Sequence, residues 1–475
     1  MTHSLHALCL LLAAAALTSC AGDRDSAGDG EDDRFTGSDG KGDGFSVSEP
    51  QVNAVLGLAN ELDEAGLQAI GMASAASSQL VKYRAGTDAE PGTLDDQTID
   101  SMAELDMIPF VGPVALDILL SHAETAGLID AAGLGRHDVS VLVPLPEPGG
   151  DLPWAAAMPA LGGELVPRAV FDQIGLSLIR DIDEADEHAA LRVVGVRFDP
   201  CFTTSLESAC QPQIRLVFQA LDGSLGTHDG AIHALYNLSA EQQAAVVAGL
   251  RELVALAPEN RPYEPLGVSP ALKAQGLDGD YANGLAKLIT ANAGASNLAR
   301  LTFITRTLAR QGEWELGGFH VKAEPSTGFP EPGRIGVLGS ELQIVGNSGF
   351  GPFFEYNAMP DIQDPMGRPG LNGRALSGLD GATRSSVVAW ATAQNSPIAN
   401  VPDTTDCASC HVAGHVGSAL AAIDPALTDF GGPRVITAAE TQSDNLRAFG
   451  YFGTDAHVSA RTANETAAVV RALAE

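Results

Sequence analysis

The spacing of apolar residues along this 475-residue chain changes near residue 139, and that change constrains the fold more than any other feature. Before it, apolar residues recur every three or four positions, as in 80–83 and 115–119, which predicts amphipathic helices. After it, short β-branched or alternating runs predict strands. Because the chain is also longer than one compact domain usually is, we expect several domains that differ in secondary structure.

The segment after residue 139 predicts an α+β domain. The run 191–198 has apolar residues at both alternating sets of positions, so we expect that strand to be covered on both faces. Ser239 followed by Gln242 is a capping-box pattern, which predicts a helix beginning there. The predicted strands are 139–145, 191–198, 213–219, 231–237, 298–307, 314–321 and 334–345, and the predicted helices are 239–257 and 281–293.

The N-terminus predicts an export signal. Residues 8–17 form an unbroken apolar run that is too short to span a bilayer, and no other stretch of the sequence approaches the length required. The run ends in Leu17-Thr18-Ser19-Cys20, which resembles the lipobox of bacterial lipoproteins. The resemblance implies cleavage before Cys20, diacylglycerol on its sulfur and attachment to a membrane by lipid alone. The alternative is a plain secretory signal with a chance cysteine.

Acidic residues dominate the chain, especially behind Cys20. Residues 21–48 are rich in Gly, Asp and Ser, so we expect a flexible acidic tether. Over the whole chain, 60 Asp and Glu against 27 Lys and Arg give a net charge of −33, which repels phosphate backbones. No nucleic-acid partner is therefore expected. An acidic loop at 88–100 is interpreted as solvent-exposed, with calcium binding as the alternative.

Residues 49–130 predict a helical module with two related halves. In the second half, the segment 105–113 resembles the turn of the helix-hairpin-helix family, which reads hydrophobic-x-Gly-hydrophobic-Gly. Phe110 stands where that family has its first glycine, while Gly112 and Pro113 fit the pattern. The family binds a DNA phosphate, but this module has fourteen acidic residues and two basic ones. We therefore interpret it as a structural or protein-docking module.

The middle domain shows none of the patterns that assign a reaction. Its histidines lack the spacing of a zinc site, and neither a nucleophile elbow nor a phosphate loop is present. Cys201 and Cys210 lie at the ends of a loop between two predicted strands, so we expect a disulfide across it. The even use of cysteine in an exported chain indicates an oxidising compartment. The histidines are His188, His228, His233 and His320.

The motif that carries recognisable chemistry is Cys407-Ala408-Ser409-Cys410-His411, which reads C-x-x-C-H. Two thiols three residues apart fall on one side of a helical turn, with a histidine beside them. The motif resembles the covalent haem site of c-type cytochromes, which implies one haem c on Cys407 and Cys410 with His411 as proximal iron ligand. A disulfide beside a histidine and a thioredoxin-like redox motif are the alternatives, whereas a zinc site would need a second ligand pair.

The flanks of the motif agree with this resemblance. Residues 461–474 resemble the C-terminal helix of small cytochromes c, and a helix at 382–393 precedes the motif. Those cytochromes usually take their sixth ligand from a methionine before the last helix, but no methionine follows His411. The loop 449–457 offers His457 instead, which we predict as the distal ligand. The alternatives are Met359, Met366, His415 and a five-coordinate iron.

Together these patterns predict a multidomain fold with a helix-hairpin-helix-like module, an α+β middle domain and a mostly α, cytochrome c-like C-terminal domain. The leading hypothesis is an extracytoplasmic, lipid-anchored monohaem cytochrome that transfers electrons to a redox partner protein, on the periplasmic or surface side of the outer membrane. The alternatives are a sensing or scaffolding lipoprotein whose middle domain binds a partner, and a haem peroxidase, a class that usually carries two such motifs. The predicted segments are 1–20 (signal peptide), 21–48 (tether), 49–130 (helical module), 131–345 (α+β domain of unknown function) and 346–475 (haem domain).

The lipobox leads to a fractionation experiment. Replacing Cys20 by Ser should move the protein from the membrane to the soluble periplasmic fraction, because lipid on this sulfur is the only predicted attachment. Immunoblots of separated cell fractions measure the change, and Cys9→Ser, inside the signal, is the control that should stay with the membrane. Continued membrane association of the Cys20 variant would contradict the lipoprotein interpretation.

Overall fold

Most of the chain from residue 47 onward is described by the computed structural model. The described residues are 47–86, 96–129, 133–147, 150–178, 184–201, 211–222, 226–257, 266–306, 313–323, 330–334, 342–346, 380–395, 397, 407–414 and 446–474. The predicted signal peptide with Cys20, the tether up to residue 46, and Cys210 lie outside them. None of the helices within these ranges combines the length and the apolar character needed to cross a bilayer.

Helices pack around one apolar core in the N-terminal module. The described ones are α1 (Glu49–Glu61), α2 (Glu64–Ala69), α3 (Ser74–Arg84), α4 (Met102–Met107) and α5 (Pro113–Thr125). Local signals set their ends: Asp63 accepts a hydrogen bond from the Gly66 amide (2.7 Å) at the start of α2, and Pro113 begins α5. The Arg84 guanidinium donates to the Leu62 carbonyl (2.7 Å), so one of the few basic residues of the module satisfies the end of α1.

The turn between α4 and α5 has a left-handed backbone without a glycine. Phe110 adopts a φ of 65°, a conformation that glycine usually supplies. Its side chain is 71% exposed, and that of Val114 in the first turn of α5 is 75% exposed. The turn therefore presents two large apolar side chains to solvent.

Within the described residues, eight strands form one antiparallel sheet. Its order is β1-β4-β5-β6-β7-β8-β10, with β9 also paired to β8, and β2 and β3 form a small separate hairpin. The strands are β1 (Ser140–Leu142), β2 (Pro159–Ala160), β3 (Gly163–Glu164), β4 (Leu191–Asp199), β5 (Gln213–Asp222), β6 (Gly226–Asn237), β7 (Leu298–Arg306), β8 (Glu313–Ala323), β9 (Pro330–Arg334) and β10 (Leu342–Gly346). A mixed α/β, multidomain fold is thus confirmed. The predicted run 334–345 holds the end of β9 and the start of β10, two strands that both pair with β8.

One face of the sheet is apolar and shares a core with helices of the middle segment. Leu216 and Phe218 of β5 lie in that core together with Leu250 and Leu285 from two of the helices. The capping box at Ser239 forms as predicted, with its side chain accepting from the Gln242 amide (3.2 Å). The helices are α6 (Arg136–Val139), α7 (Arg168–Phe171), α8 (Glu184–Ala190), α9 (Ala240–Leu256), α10 (Pro270–Gln275) and α11 (Asp280–Asn292).

The C-terminal segment packs on the other face of the sheet. Trp390 and Val412 bury their side chains against Ile304 of β7, which lies on that face. Phe449 and Tyr451 join the larger core of the middle segment. The elements are α12 (Gly381–Asn395), α13 (helical over 407–414), β11 (Phe449–Phe452), β12 (Asp455–Val458) and α14 (Ala460–Ala474).

This segment differs in part from its prediction. The helices expected at 382–393 and 461–474 are present as α12 and α14. Residues 449–457 were expected to be a loop, but most of them form the hairpin β11–β12, with Gly453 at a φ of 60° in the turn. The hairpin forms because aromatic residues alternate along β11 and bury against the sheet. The predicted mostly α C-terminal domain is therefore not confirmed.

A buried glutamine holds the hairpin on the sheet. The Gln219 side chain of β5 donates to the Tyr451 carbonyl (2.9 Å) and accepts from the Tyr451 amide (2.8 Å). The Thr227 amide donates to the Gly453 carbonyl (2.8 Å). These bonds satisfy backbone groups of β11 that would otherwise be buried without partners.

The close approach of β11 to β4 requires a glycine at position 195. A Cβ there would come within 2.8 Å of the Phe449 ring, so Gly195→Ala should lower the free energy of unfolding by about 1–3 kcal/mol. Gly57→Ala in α1 is the matched control: a Cβ there meets nothing within 4 Å, and alanine should stabilise the helix by up to about 1 kcal/mol. Urea or thermal unfolding of both variants measures the difference, and equal stability of the two would contradict this packing.

Candidate functional site

The C-x-x-C-H motif lies on a helix, α13, that is fixed to the sheet. Cys407 and Cys410 are thiols with half-buried side chains. Beside Cys407, the Ala408 amide donates to the side-chain oxygen of Gln343 in β10 (2.9 Å), which ties this part of the helix to the sheet. Ala408 and Val412 are buried in the core with Trp390, and Cys407 packs against the edge of that core.

His411 is held in one ring orientation by a backbone carbonyl. Its Nδ1 lies 2.5 Å from the carbonyl oxygen of Leu446, so Nδ1 carries the proton and donates it. In the neutral ring, Nε2 then carries the lone pair. A second hydrogen bond of this kind, behind a ligating nitrogen, is what orients histidines at metal centres.

A cavity lies between α13 and the sheet. Cys407 and His411 line it from the helix, while Arg197, His233 and Thr302 line it from the sheet. The site that the sequence predicts on α13 therefore has a second wall, which belongs to the middle segment.

Arg197, which lines the cavity, belongs to a cross-strand row of arginines on this face of the sheet. In the register of the sheet, Arg197 of β4 pairs with Arg215 of β5, and Leu235 and Arg300 continue the row on β6 and β7. All three arginines are buried. Burial, followed by the charge of Arg215, lowers the pKa of Arg300 to about 10, with the neighbouring Cys407 opposing the shift. The wall is therefore cationic and reaches the motif.

One carboxylate on α14 joins these arginines to the C-terminal helix. Glu465 accepts from Arg197 (2.9 Å) and Arg215 (2.6 Å), and Arg461 lies 3.8 Å away. Arg215 also pairs with Asp199. Burial by itself raises the pKa of Glu465, but the charges of Arg215, Arg197 and Arg461 outweigh it and hold that pKa well below its ordinary value.

His233 contributes an imidazole to the cavity wall. It lies on β6 directly opposite Val217 and Thr302, one row along from the arginines. Its Nε2 atom is buried and has no hydrogen-bond partner among the residues that the structure describes. Burial, followed by the charges of Arg215 and Arg197, lowers the pKa of His233 to about 3, with Glu465 opposing and His411 adding to the shift. The ring is therefore neutral at physiological pH.

The structure does not bring His457 to this cavity. His457 lies on β12 opposite Gly450, is 2% exposed, and sets its ring edge-on to Phe452 with 6.3 Å between centroids. It is not among the residues that line the cavity. Burial lowers its pKa, the charge of Arg447 lowers it further, and Asp455 opposes both.

The remaining predicted site residues are only partly described. Cys201 ends β4 and donates its amide to the Asp199 carboxylate (2.8 Å), but its proposed partner Cys210 lies outside the described residues, so that disulfide stays a prediction. Cys20, Met359, Met366 and His415 also lie outside the described residues. Within the part of the chain that is described, no three or more His, Cys, Asp and Glu side chains converge as a metal site.

Sequence reasoning did not select His233, Glu465 or the arginine row as site residues. The available signal was weak: charged residues at alternate positions of otherwise apolar strands, such as Arg197 and Arg215. No protein-family model matches the chain, and comparison with curated proteins and with solved structures gives no significant match.

The buried carboxylate makes a stability prediction with a built-in control. Glu465→Gln should lower the free energy of unfolding by about 3–5 kcal/mol, because it leaves Arg197 buried without a counter-charge and leaves Arg215 with Asp199 alone. The exposed pair of Arg168 and Asp172 has the same 2.6 Å separation, yet Asp172→Asn should cost less than about 1 kcal/mol. Denaturant unfolding measures both changes, and equal effects would contradict the role assigned to burial.

The same pair of variants predicts a pH dependence. Because the folded pKa of Glu465 is lowered, its ion pairs contribute fully above the ordinary glutamate value (about 4.3) and are lost as pH falls through the folded value. The stability difference between wild type and Glu465→Gln should therefore shrink below that pH, whereas the difference for Asp172→Asn should stay small throughout.

Proposed function

We propose that the protein is an extracytoplasmic, lipid-anchored electron-transfer protein that carries one haem c on Cys407 and Cys410, with His411 as the proximal ligand. The observation that supports this most directly is the hydrogen bond from His411 Nδ1 to the Leu446 carbonyl (2.5 Å). It orients the histidine of a C-x-x-C-H helix beside a cavity that the sheet lines from the other side. Anchoring would be through Cys20.

The two cysteines have the spacing and environment for covalent attachment. Each thiol would add across one vinyl group of the porphyrin: its sulfur bonds to one carbon, its hydrogen passes to the other, and no oxidant is consumed. The two residues lie on one side of a helical turn, and both are half-buried thiols. The fixed helix start at Gln343 keeps the turn in place for both additions.

The cationic wall fits the acidic edge of such a group. The Nε atom of Arg197 is buried and has no hydrogen-bond partner among the described residues, and Arg197 lines the cavity. A guanidinium in this state is a suitable donor for a carboxylate, because charge-assisted bonds are the strong ones. When bound, haem c supplies one-electron chemistry at its iron. The buried arginines would favour the reduced state, which carries one positive charge less.

A second function is favoured by the turn between α4 and α5. The exposed side chains of Phe110 and Val114 are suited to contact another protein, as at other exposed apolar patches. A scaffolding or sensing role for the helical module would use this turn. It is compatible with the haem proposal, since the same contact would serve docking of a redox partner.

Covalent haem attachment is tested by a stain on a denaturing gel. After expression with a cytochrome c maturation system, the wild-type protein should stain for haem, and Cys407→Ala combined with Cys410→Ala should not. Ser409→Ala, which changes the position between the two cysteines, is the control and should keep the stain. An unstained wild type would remove the haem proposal, and a stained double variant would place attachment elsewhere.

A further inference from the structure

We propose that His233, on β6 of the middle segment, is the second axial ligand of the haem iron, so that the haem is held between α13 and the sheet. This inference rests on the proposed function and deepens it. It assigns the distal ligand to a strand that precedes the motif by more than 170 residues, in place of His457 in the hairpin before the last helix.

The first support is the shared cavity. His411 from α13 and His233 from β6 both line it, whereas His457 does not. The helix and the sheet are held against each other by the core around Trp390 and by the Gln343 bond to the start of α13. Two imidazoles on opposite walls of one cavity are the arrangement that six-coordinate ligation requires.

The second support is the state of the imidazole itself. Buried polar atoms in proteins are almost always hydrogen-bonded, so a buried nitrogen without a partner calls for an explanation. His233 Nε2 is such an atom within the described part of the chain. Its cross-strand neighbours Val217 and Thr302 are short, and neither is charged. An iron atom would supply the partner that the protein does not.

The third support is the separation of His233 and Arg197 in the sheet, since each carries a buried atom without a hydrogen-bond partner among the described residues. His233 and Arg197 are two strands and two residues apart in the register. Their Cα atoms are therefore roughly 12 Å apart on ordinary sheet spacing. A guanidinium has no lone pair to give to a metal, so a bare metal ion would use His233 alone. A large planar group with a metal at its centre and carboxylates at its edge would use His233 Nε2 and Arg197 Nε together.

The sheet would then have a defined role in the redox chemistry. Two histidine ligands usually give a lower reduction potential than a histidine with a methionine, because thioether sulfur favours ferrous iron. The middle segment would thus supply a ligand and part of the charge around the iron. Its function, which the sequence does not disclose, would be to complete the haem site.

The experiment compares four matured proteins: wild type, His233→Ala, His233→Met and His228→Ala. His228 lies on the same strand and does not line the cavity, so its variant is the matched control. Intact mass reports whether haem is attached, and ferric absorption and electron paramagnetic resonance spectra report the ligands. Wild type and His228→Ala should be low-spin without the near-infrared band of sulfur ligation.

The His233 variants should change in opposite ways. His233→Ala should lose the low-spin signal and regain it when imidazole is added, and His233→Met should gain the sulfur band and a higher potential.

A wild type without haem mass would overturn the proposed function. Haem-loaded His233 variants with wild-type spectra would overturn only this inference, as would a sulfur band in the wild type. Should the His233 variants fail to fold, His457→Ala keeps the inference testable: an unchanged low-spin spectrum would support it, and loss of the low-spin signal would overturn it. Loss of the low-spin signal in His457→Ala, with His233→Ala unchanged, would restore His457.

Discussion

The docking of the C-terminal segment depends on one buried carboxylate. Glu465 of α14 pairs with Arg197 and Arg215, which lie on neighbouring strands of the sheet. Buried arginines without a counter-charge would cost several kcal/mol each, so the helix that carries Glu465 must stay on this face. From the same helix, Arg461 donates to the Gln394 carbonyl at the end of α12 (3.0 Å). The position of α14 therefore fixes that of α12, and the core around Trp390 then fixes α13 with its motif.

The two faces of the sheet differ in character: one is packed in the apolar core, and the other lines the cavity. One face carries apolar residues and is buried under helices of the middle segment, which provides most of the apolar core. The other face carries arginines and His233, and the C-terminal elements cover it only in part, leaving the cavity beside α13. A wholly apolar second face would close on α13 without leaving polar groups for a ligand. Burying these polar residues costs some stability, and the proposed binding site would be a physical reason for keeping them.

Sequence reasoning succeeded where the signal is local. Helices with clear periodicity, the capping box at Ser239, most strands of the sheet and the two C-terminal helices were predictable because neighbouring residues determine them. It failed where residues far apart in the chain meet. The hairpin at 449–458 depends on aromatic packing against β4 and β5, and the pairing of Glu465 with Arg197 joins positions 268 residues apart. No local pattern encodes such contacts, and without relatives to compare, the cavity wall could not be assigned to the motif.

The charge of the site argues that its ligand is anionic at the edge. The chain as a whole has a net charge of −33, so a cluster of buried arginines is unusual for its composition and does not follow from it. Arg215 satisfies two carboxylates, Glu465 and Asp199, whereas the Nε atom of Arg197 has no acceptor among the described residues. Arg197 Nε can donate to a hydrogen-bond acceptor, and His233 Nε2 can bind a Lewis acid. A single ligand with both properties would satisfy the two atoms. The proposed haem would be such a group, since it combines carboxylates with an iron that binds imidazole, and the C-x-x-C-H helix would supply the opposite wall.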